Sequence, residues 1–233
     1  MPGKLAYGRS HFRQSVINYP IGLIRPIGPI RPMTFQPKEF NSINGVSGLS
    51  ERQMKEHYKL YEGYIKKANE IQESLKTVDV SKANATYSDL RALKLGYSFA
   101  VNAIKSHELY FGNLSGNGAA PTGAVGKMIV DQFGSYENWL ADMKATGIAA
   151  RGWVWFAFDW QNATVFNYLG DAHDAFPIWH ATPLVALDVY EHAYFMDYGT
   201  SRADYIVGFF KNLNWEDIEA TATKLGMDKV ATS

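Results

Sequence analysis

The chain has 233 residues, 46% of them apolar, and 23 basic residues balance 23 acidic ones. That length can bury a good core, as one domain or two small ones, and the balanced charge argues against a nucleic-acid partner. There is no cysteine, which excludes a disulfide framework, a thiolate metal site and cysteine catalysis; no apolar run approaches the roughly 18–20 residues that span a bilayer, so a soluble protein without a membrane partner is expected.

Residues 1–44 read as a basic, proline-rich N-terminal arm. Lys4, Arg9, Arg13, Arg25, Arg31 and Lys38 face no acidic residue before Glu39, and six prolines punctuate residues 1–38. Repeated proline favours extended or turn structure over helix. A basic, acid-free N-terminus also fits a targeting segment, although such segments are amphipathic helices. A cytoplasmic location is the expectation, with organelle or export targeting as the alternative.

Residues 45–118 read as a helical hairpin. Ser50 and Gln53 form a capping-box pattern before Met54. His57, Leu60, Tyr61, Tyr64, Ile65 and Ala68 then recur at helical spacing, and the helix is expected to end near Leu75 and Lys76. Asp79–Asn84 is turn-like. A second helix is expected from about Tyr87 to Phe111, antiparallel to the first. Residues 119–233 read as an α+β unit. Helix is expected over about 123–148 with a break at Phe133-Gly134-Ser135. Trp153–Trp160 and Thr164–Tyr168 read as a hairpin around Gln161-Asn162. A loop with His173, Pro177 and His180 leads to a strand at 183–189. Helices over about 190–198 and 203–212 follow, and a short one starts near Trp215. The fold class is α+β, an N-terminal antiparallel helical hairpin followed by an α/β unit with a small three-stranded antiparallel sheet.

Of six histidines, His11, His57, His107, His173, His180 and His192, three stand out. His57 shares a stripe with Tyr61 and Tyr64 that should be buried. His107 lies among Leu109, Tyr110 and Phe111. His192 follows Asp188, at the end of an apolar strand, by four residues. Buried imidazoles need partners, and one metal would satisfy all three together with the carboxylate. Neutral histidine with aspartate suits iron, manganese or zinc better than magnesium or calcium.

The segment Asp188-Val189-Tyr190-Glu191-His192-Ala193-Tyr194 resembles the signature of the iron/manganese superoxide dismutase family. The resemblance runs from about residue 45 to 220. Leu49–Tyr58 is similar to the segment with the family's first histidine ligand, and Ser106–Phe111 to the second. Gly152-Trp153-Val154-Trp155, Arg202-Ala203-Asp204-Tyr205 and Asn214-Trp215 extend it in the same order. It implies one iron or manganese ion held by His57, His107, Asp188 and His192, with solvent as fifth ligand. An iron-loaded or metal-tolerant enzyme is favoured. The implied substrate is superoxide, turned into dioxygen and hydrogen peroxide by redox cycling that zinc cannot provide.

The same resemblance implies roles around the metal. The family's glutamine partner of the solvent has two usual places. One is four residues before the second ligand, here Ala103. The other is in the loop before the strand, where the nearest candidate is His173, fifteen residues before Asp188. His173 is therefore the expected partner. The family's gateway tyrosine stands eight residues after the first ligand, whereas here Tyr64 stands at seven and Tyr61 at four. Tyr64 fits one deleted residue, which would make the helix regular where a spacing of eight needs a π-bulge; Tyr61 is the alternative. Trp153, Trp155 and Tyr190 would surround the site, and Arg202 would steer the anion. Glu191 would bridge to the other subunit of a homodimer or larger assembly. Tyr61 and Phe195 stand where the family often pairs a histidine and a tyrosine across subunits. Two other readings fit parts of the pattern. One is a mononuclear iron oxygenase with two histidines and a carboxylate; the other is a catalytically altered relative holding a structural metal.

Overall fold

Ser50 starts the first helix, α1 (Glu51–Leu75), by accepting from the Gln53 backbone N–H with its hydroxyl oxygen. Met54, His57, Tyr61, Ile65, Ala68 and Ile71 recur every three or four residues and form its buried stripe. Ser88 caps α2 (Asp89–Gly112) in the same way, and Ala100, Ala103, Ile104, His107, Tyr110 and Phe111 face inward from it. His57 lies beside His107, Tyr64 beside Phe99, and Ile71 beside Gly96. The pair is therefore the expected antiparallel hairpin, closed by a 3-10 turn at Val80–Lys82.

The computed structural model describes residues 34–175 and 177–231. Most of the expected N-terminal arm, and His11 with it, lies outside the described residues. Of the arm's end, Asn41–Asn44 form a 3-10 turn packed on α1 and α2. Among the described residues no helix is long and apolar enough to cross a membrane.

The helical stretch after the hairpin divides into α3 (Ala124–Phe133) and α4 (Tyr136–Ala149). Gly134 takes a left-handed conformation at φ 81° between them, and Ser135 caps α4, a break that glycine alone makes cheaply. The sheet has the order β2-β1-β3 and is antiparallel throughout. β1 (Trp153–Asp159) is the centre strand, buried on both faces over its first six residues, which is why its sequence shows no polar alternation. It turns into β2 (Thr164–Gly170) through Trp160–Ala163, where the Asp159 carboxylate accepts from the Gln161 and Asn162 backbone N–H groups. β3 (Ala181–Asp188) is the other edge. Its register against β1 shifts once between Phe156 and Ala157, leaving Leu184 unpaired next to Pro183. Proline has no N–H for a ladder and belongs on an edge or at such a bulge. Beyond the shift Asp188 pairs with Trp153.

The helix expected over 190–198 does not form as one piece. A 3-10 turn, Glu191–Ala193, is followed by a single turn, α5 (Phe195–Tyr198), with Tyr194 between them at φ −148°. Two tertiary contacts override local propensity here. The Tyr194 ring stacks on Tyr205 at 4.7 Å, and the Gln53 side chain takes the His192 carbonyl and the Met196 N–H. α6 (Arg202–Phe210), α7 (Trp215–Leu225) and a final turn, α8 (Met227–Val230), complete the chain.

Gly170 faces the tryptophans of β1. A Cβ there would lie 2.5 and 2.8 Å from two Trp155 ring atoms. Gly170→Ala should therefore lower stability by about 1–3 kcal/mol through overpacking. In urea unfolding this appears as a lower midpoint with an unchanged slope.

Candidate metal centre

Four elements deliver one side chain each. α1 presents His57 in its second turn and α2 presents His107 near its end. β3 ends in Asp188, and the 3-10 turn after it carries His192. One ligand-type atom from each lies within 4.8 Å of all the others, and only His192 is partly exposed. The three Nε2 atoms converge on a single carboxylate oxygen. Asp188 Oδ2 is 3.1 Å from His57, 3.2 Å from His192 and 3.7 Å from His107. The other oxygen, Oδ1, accepts from the Tyr190 N–H at 2.9 Å, and the Tyr205 hydroxyl donates to the Asp188 carbonyl at 2.6 Å. Strand, side chain and backbone of Asp188 are thus all fixed.

One hydrogen bond also fixes the tautomer of His107. A carbonyl can only accept, so His107 Nδ1 carries the proton that it gives to the Ala103 carbonyl at 2.7 Å. His107 Nε2 is then a bare lone pair, buried without a partner among the described residues. A buried, unpaired acceptor aimed at a carboxylate and two more imidazoles fits a metal cation. Burial holds His57 below the ordinary imidazole range, only partly offset by Asp188. Burial, then the neighbouring His57, lowers His107 to about 3. Burial opposes a proton on His192, but the Asp188 charge outweighs it and raises the group. Burial likewise opposes ionisation of Asp188, and the imidazoles of His192 and His57 overcome it, keeping the carboxylate ionised. With three neutral nitrogens and one carboxylate oxygen, the donor set suits iron or manganese.

Tyr64 and His173 lie together against this cluster. The indole N–H of Trp153 donates to His173 Nδ1 at 2.8 Å. Burial lowers His173 to about 4, so near neutral pH its single proton is on Nε2, which lies 2.9 Å from the Tyr64 hydroxyl oxygen. His173 donates there, and the Tyr64 O–H stays free to donate onward. The Tyr64 ring is 5.5 Å from that of His107. Tyr61 sits elsewhere. Its hydroxyl accepts from the Lys38 N–H and donates to Glu108 Oε1. α1 runs as unbroken α-helix from His57 through Tyr64.

The remaining expected residues occupy distinct places. Trp153 is buried with its ring 5.1 Å from His107, and Trp155 stacks behind it at 6.0 Å. Tyr190 stacks on His192 at 5.3 Å. The Arg202 guanidinium donates to the Ala150 carbonyl and to the Tyr194 hydroxyl; among the described residues it has no carboxylate partner. Glu191 is exposed on the turn beside His192. His180 lies in the turn just before β3, at the opposite end of that strand from Asp188, with φ 59°. Gln53, Tyr205 and the Ala103 carbonyl were not legible as site elements. Gln53 reads as half of a capping box, yet the Ser50 N–H is taken by Asp197 and the Gln53 amide crosses to the His192 turn. Its sole sequence signal is its place one turn before His57.

The lowered His107 sets a pH dependence for the metal-free chain. The unfolded chain protonates this imidazole as pH falls through 6.5, while the native state resists until about 3. Stability from this group is therefore intact above 6.5 and falls by about 1.4 kcal/mol per pH unit below it. Urea midpoints of metal-free protein should drop from pH 6 to pH 4, and His107→Gln should flatten that drop.

Comparison with known proteins agrees with this geometry. The family described as iron/manganese superoxide dismutases, C-terminal domain, matches residues 121–221. The iron superoxide dismutase of Aquifex aeolicus (strain VF5) is 40% identical over 187 residues, 78% of this chain and 87% of that protein. The iron superoxide dismutase of Cupriavidus metallidurans (strain CH34) is 36% identical over 175 residues, covering 73% and 87%. The manganese superoxide dismutase 1 of Halobacterium salinarum (strain NRC-1) is 31% identical over 175 residues, covering 72% and 84%. Likeness of this extent, around a buried cluster of three histidines and an aspartate, means that the chain belongs to the iron/manganese superoxide dismutase family.

Proposed function

We propose that the chain is a superoxide dismutase using one iron or manganese ion, held by His57, His107, Asp188 and His192. The observation that carries this is the convergence of three imidazole nitrogens on Asp188 Oδ2 in a chain of this family. When bound, the ion supplies the one-electron redox change needed to convert superoxide into dioxygen and hydrogen peroxide. Residues 45–118 and 119–233 act as two lobes that lend two ligands each.

The chain's own groups would bind the anion and deliver protons. Arg202 offers a positive charge not neutralised by a carboxylate among the described residues, which suits steering of an anion. Burial raises the Tyr64 phenol above its ordinary range, so it keeps its proton at neutral pH and can donate it. His173 supports that donation by giving Nε2–H to the Tyr64 oxygen, with Trp153 holding the tautomer. The exposed side chains of Glu191, Phe195 and Met196 flank half-open His192. They support a homodimer in which Glu191 reaches the partner's His192. The third imidazole argues against an oxygenase, which needs open positions for substrate and dioxygen.

Samples loaded with iron alone and with manganese alone should be assayed for superoxide consumption, with His107→Ala as the control. Activity scaling with bound metal in at least one sample, and loss of stoichiometric metal in His107→Ala, is the expected result. Full metal content in both loaded samples without activity would leave the altered-relative reading in its place. Tyr64→Phe should slow turnover by roughly tenfold or more, as loss of a positioned proton donor does. Tyr61→Phe should act mainly on stability, by about 1 kcal/mol through its lost bond to Glu108. The opposite order would move the gateway role to Tyr61.

A further inference from the structure

A continuous helix through 190–198 would close a hydrogen bond from the Met196 N–H to the His192 carbonyl, four residues back. In this chain the Gln53 side chain stands between those two groups. Its Nε2 donates to the His192 carbonyl at 2.6 Å, and its Oε1 accepts from the Met196 N–H at 3.1 Å. Gln53 is wholly buried and sits one turn before His57 on the same face of α1. The adjoining Ser50 N–H and hydroxyl both donate to the Asp197 carboxylate, at 2.6 and 2.7 Å. The start of α1 is thus buckled to the turn that carries His192.

We infer that Gln53 is a positioning residue that holds the helix after His192 open and so sets where His192 stands relative to His57. The argument is one of partners. A primary amide presents a donor nitrogen and an acceptor oxygen side by side, and here one meets each half of the broken pair. It satisfies both backbone groups and ties them to the helix that carries another ligand. Without it, the His192 carbonyl and the Met196 N–H, four residues apart, are left to pair with each other as in a continuous helix. Closing that bond would extend the helix and draw His192 away from Asp188. The inference rests on the reading of His57 and His192 as ligands.

The test compares iron-loaded wild type with Gln53→Met, Gln53→Glu and Ser135→Ala. Gln53→Met keeps the volume and loses both bonds. Gln53→Glu keeps the acceptor for Met196 and loses the donor to His192. Ser135→Ala removes the cap of α4, which supplies no side chain to the centre, and controls for general destabilisation. Iron release into excess chelator and the ferric electron paramagnetic resonance line shape are read, with the melting temperature of each metal-free protein. Gln53→Met should release iron about tenfold faster or more, as loss of a partner that orients a ligand typically does. Gln53→Glu should fall between, and both should alter the line shape. Ser135→Ala should lower the melting temperature and leave release within twofold of wild type. Release from Gln53→Met within twofold of wild type, or equal acceleration in Ser135→Ala, would overturn the inference. Should Gln53→Met fail to fold, Asp197→Asn, which weakens the neighbouring half of the buckle, takes its place with the same thresholds. A wild type that holds no iron would instead overturn the ligand reading itself.

Discussion

One carboxylate oxygen organises this molecule. Asp188 Oδ2 sits in a dry interior with three imidazole nitrogens around it. A lone ionised carboxylate there would be costly, and so would three unpaired imidazoles. Each group is tolerable only because the others are present. That mutual dependence explains why the hairpin packs against the end of the sheet. α1 and α2 bring basic nitrogens that no local partner satisfies, and β3 brings the charge that needs them. Rings of Trp153, Tyr110, Phe111 and Tyr190 pack against the imidazoles and leave only His192 partly exposed.

Around this centre, direction is set by groups that can play a single hydrogen-bonding role. The Ala103 carbonyl can only accept, so it turns the bare nitrogen of His107 inward. The Trp153 indole can only donate, so it sends the proton of His173 to Tyr64. Neither device needs a charge, and neither adds a second titrating group to a site already crowded with them. The tautomers of His107 and His173 are thereby set by a backbone carbonyl and an indole.

Much of this was legible in the sequence because it is local. The α1 stripe, the serine caps and the buried run of β1 follow from spacing and composition, and the Asp188–His192 segment carries its own signature. What was not legible is nonlocal. The break between the 3-10 turn and α5 depends on Gln53, 139 and 143 residues earlier in the chain. The local pattern from Tyr190 to Tyr198 reads as ordinary helix. The tautomer of His173 depends on Trp153, 20 residues away across the sheet. Ala103 shows nothing in its side chain, since its contribution is a carbonyl.

The register shift at Leu184 has a bearing on how this architecture varies. Side chains alternate faces along a strand, so a change of one residue in length would normally invert everything beyond it. The unpaired Leu184 absorbs one residue between the loop ending at His180 and the half of β3 that ends in Asp188. The distal half of the strand is keyed to Trp153, and the proximal half to the loop. The irregularity works as an expansion joint: one extra residue in the first half of β3 is taken up before Asp188, which keeps its face and its pairing with Trp153.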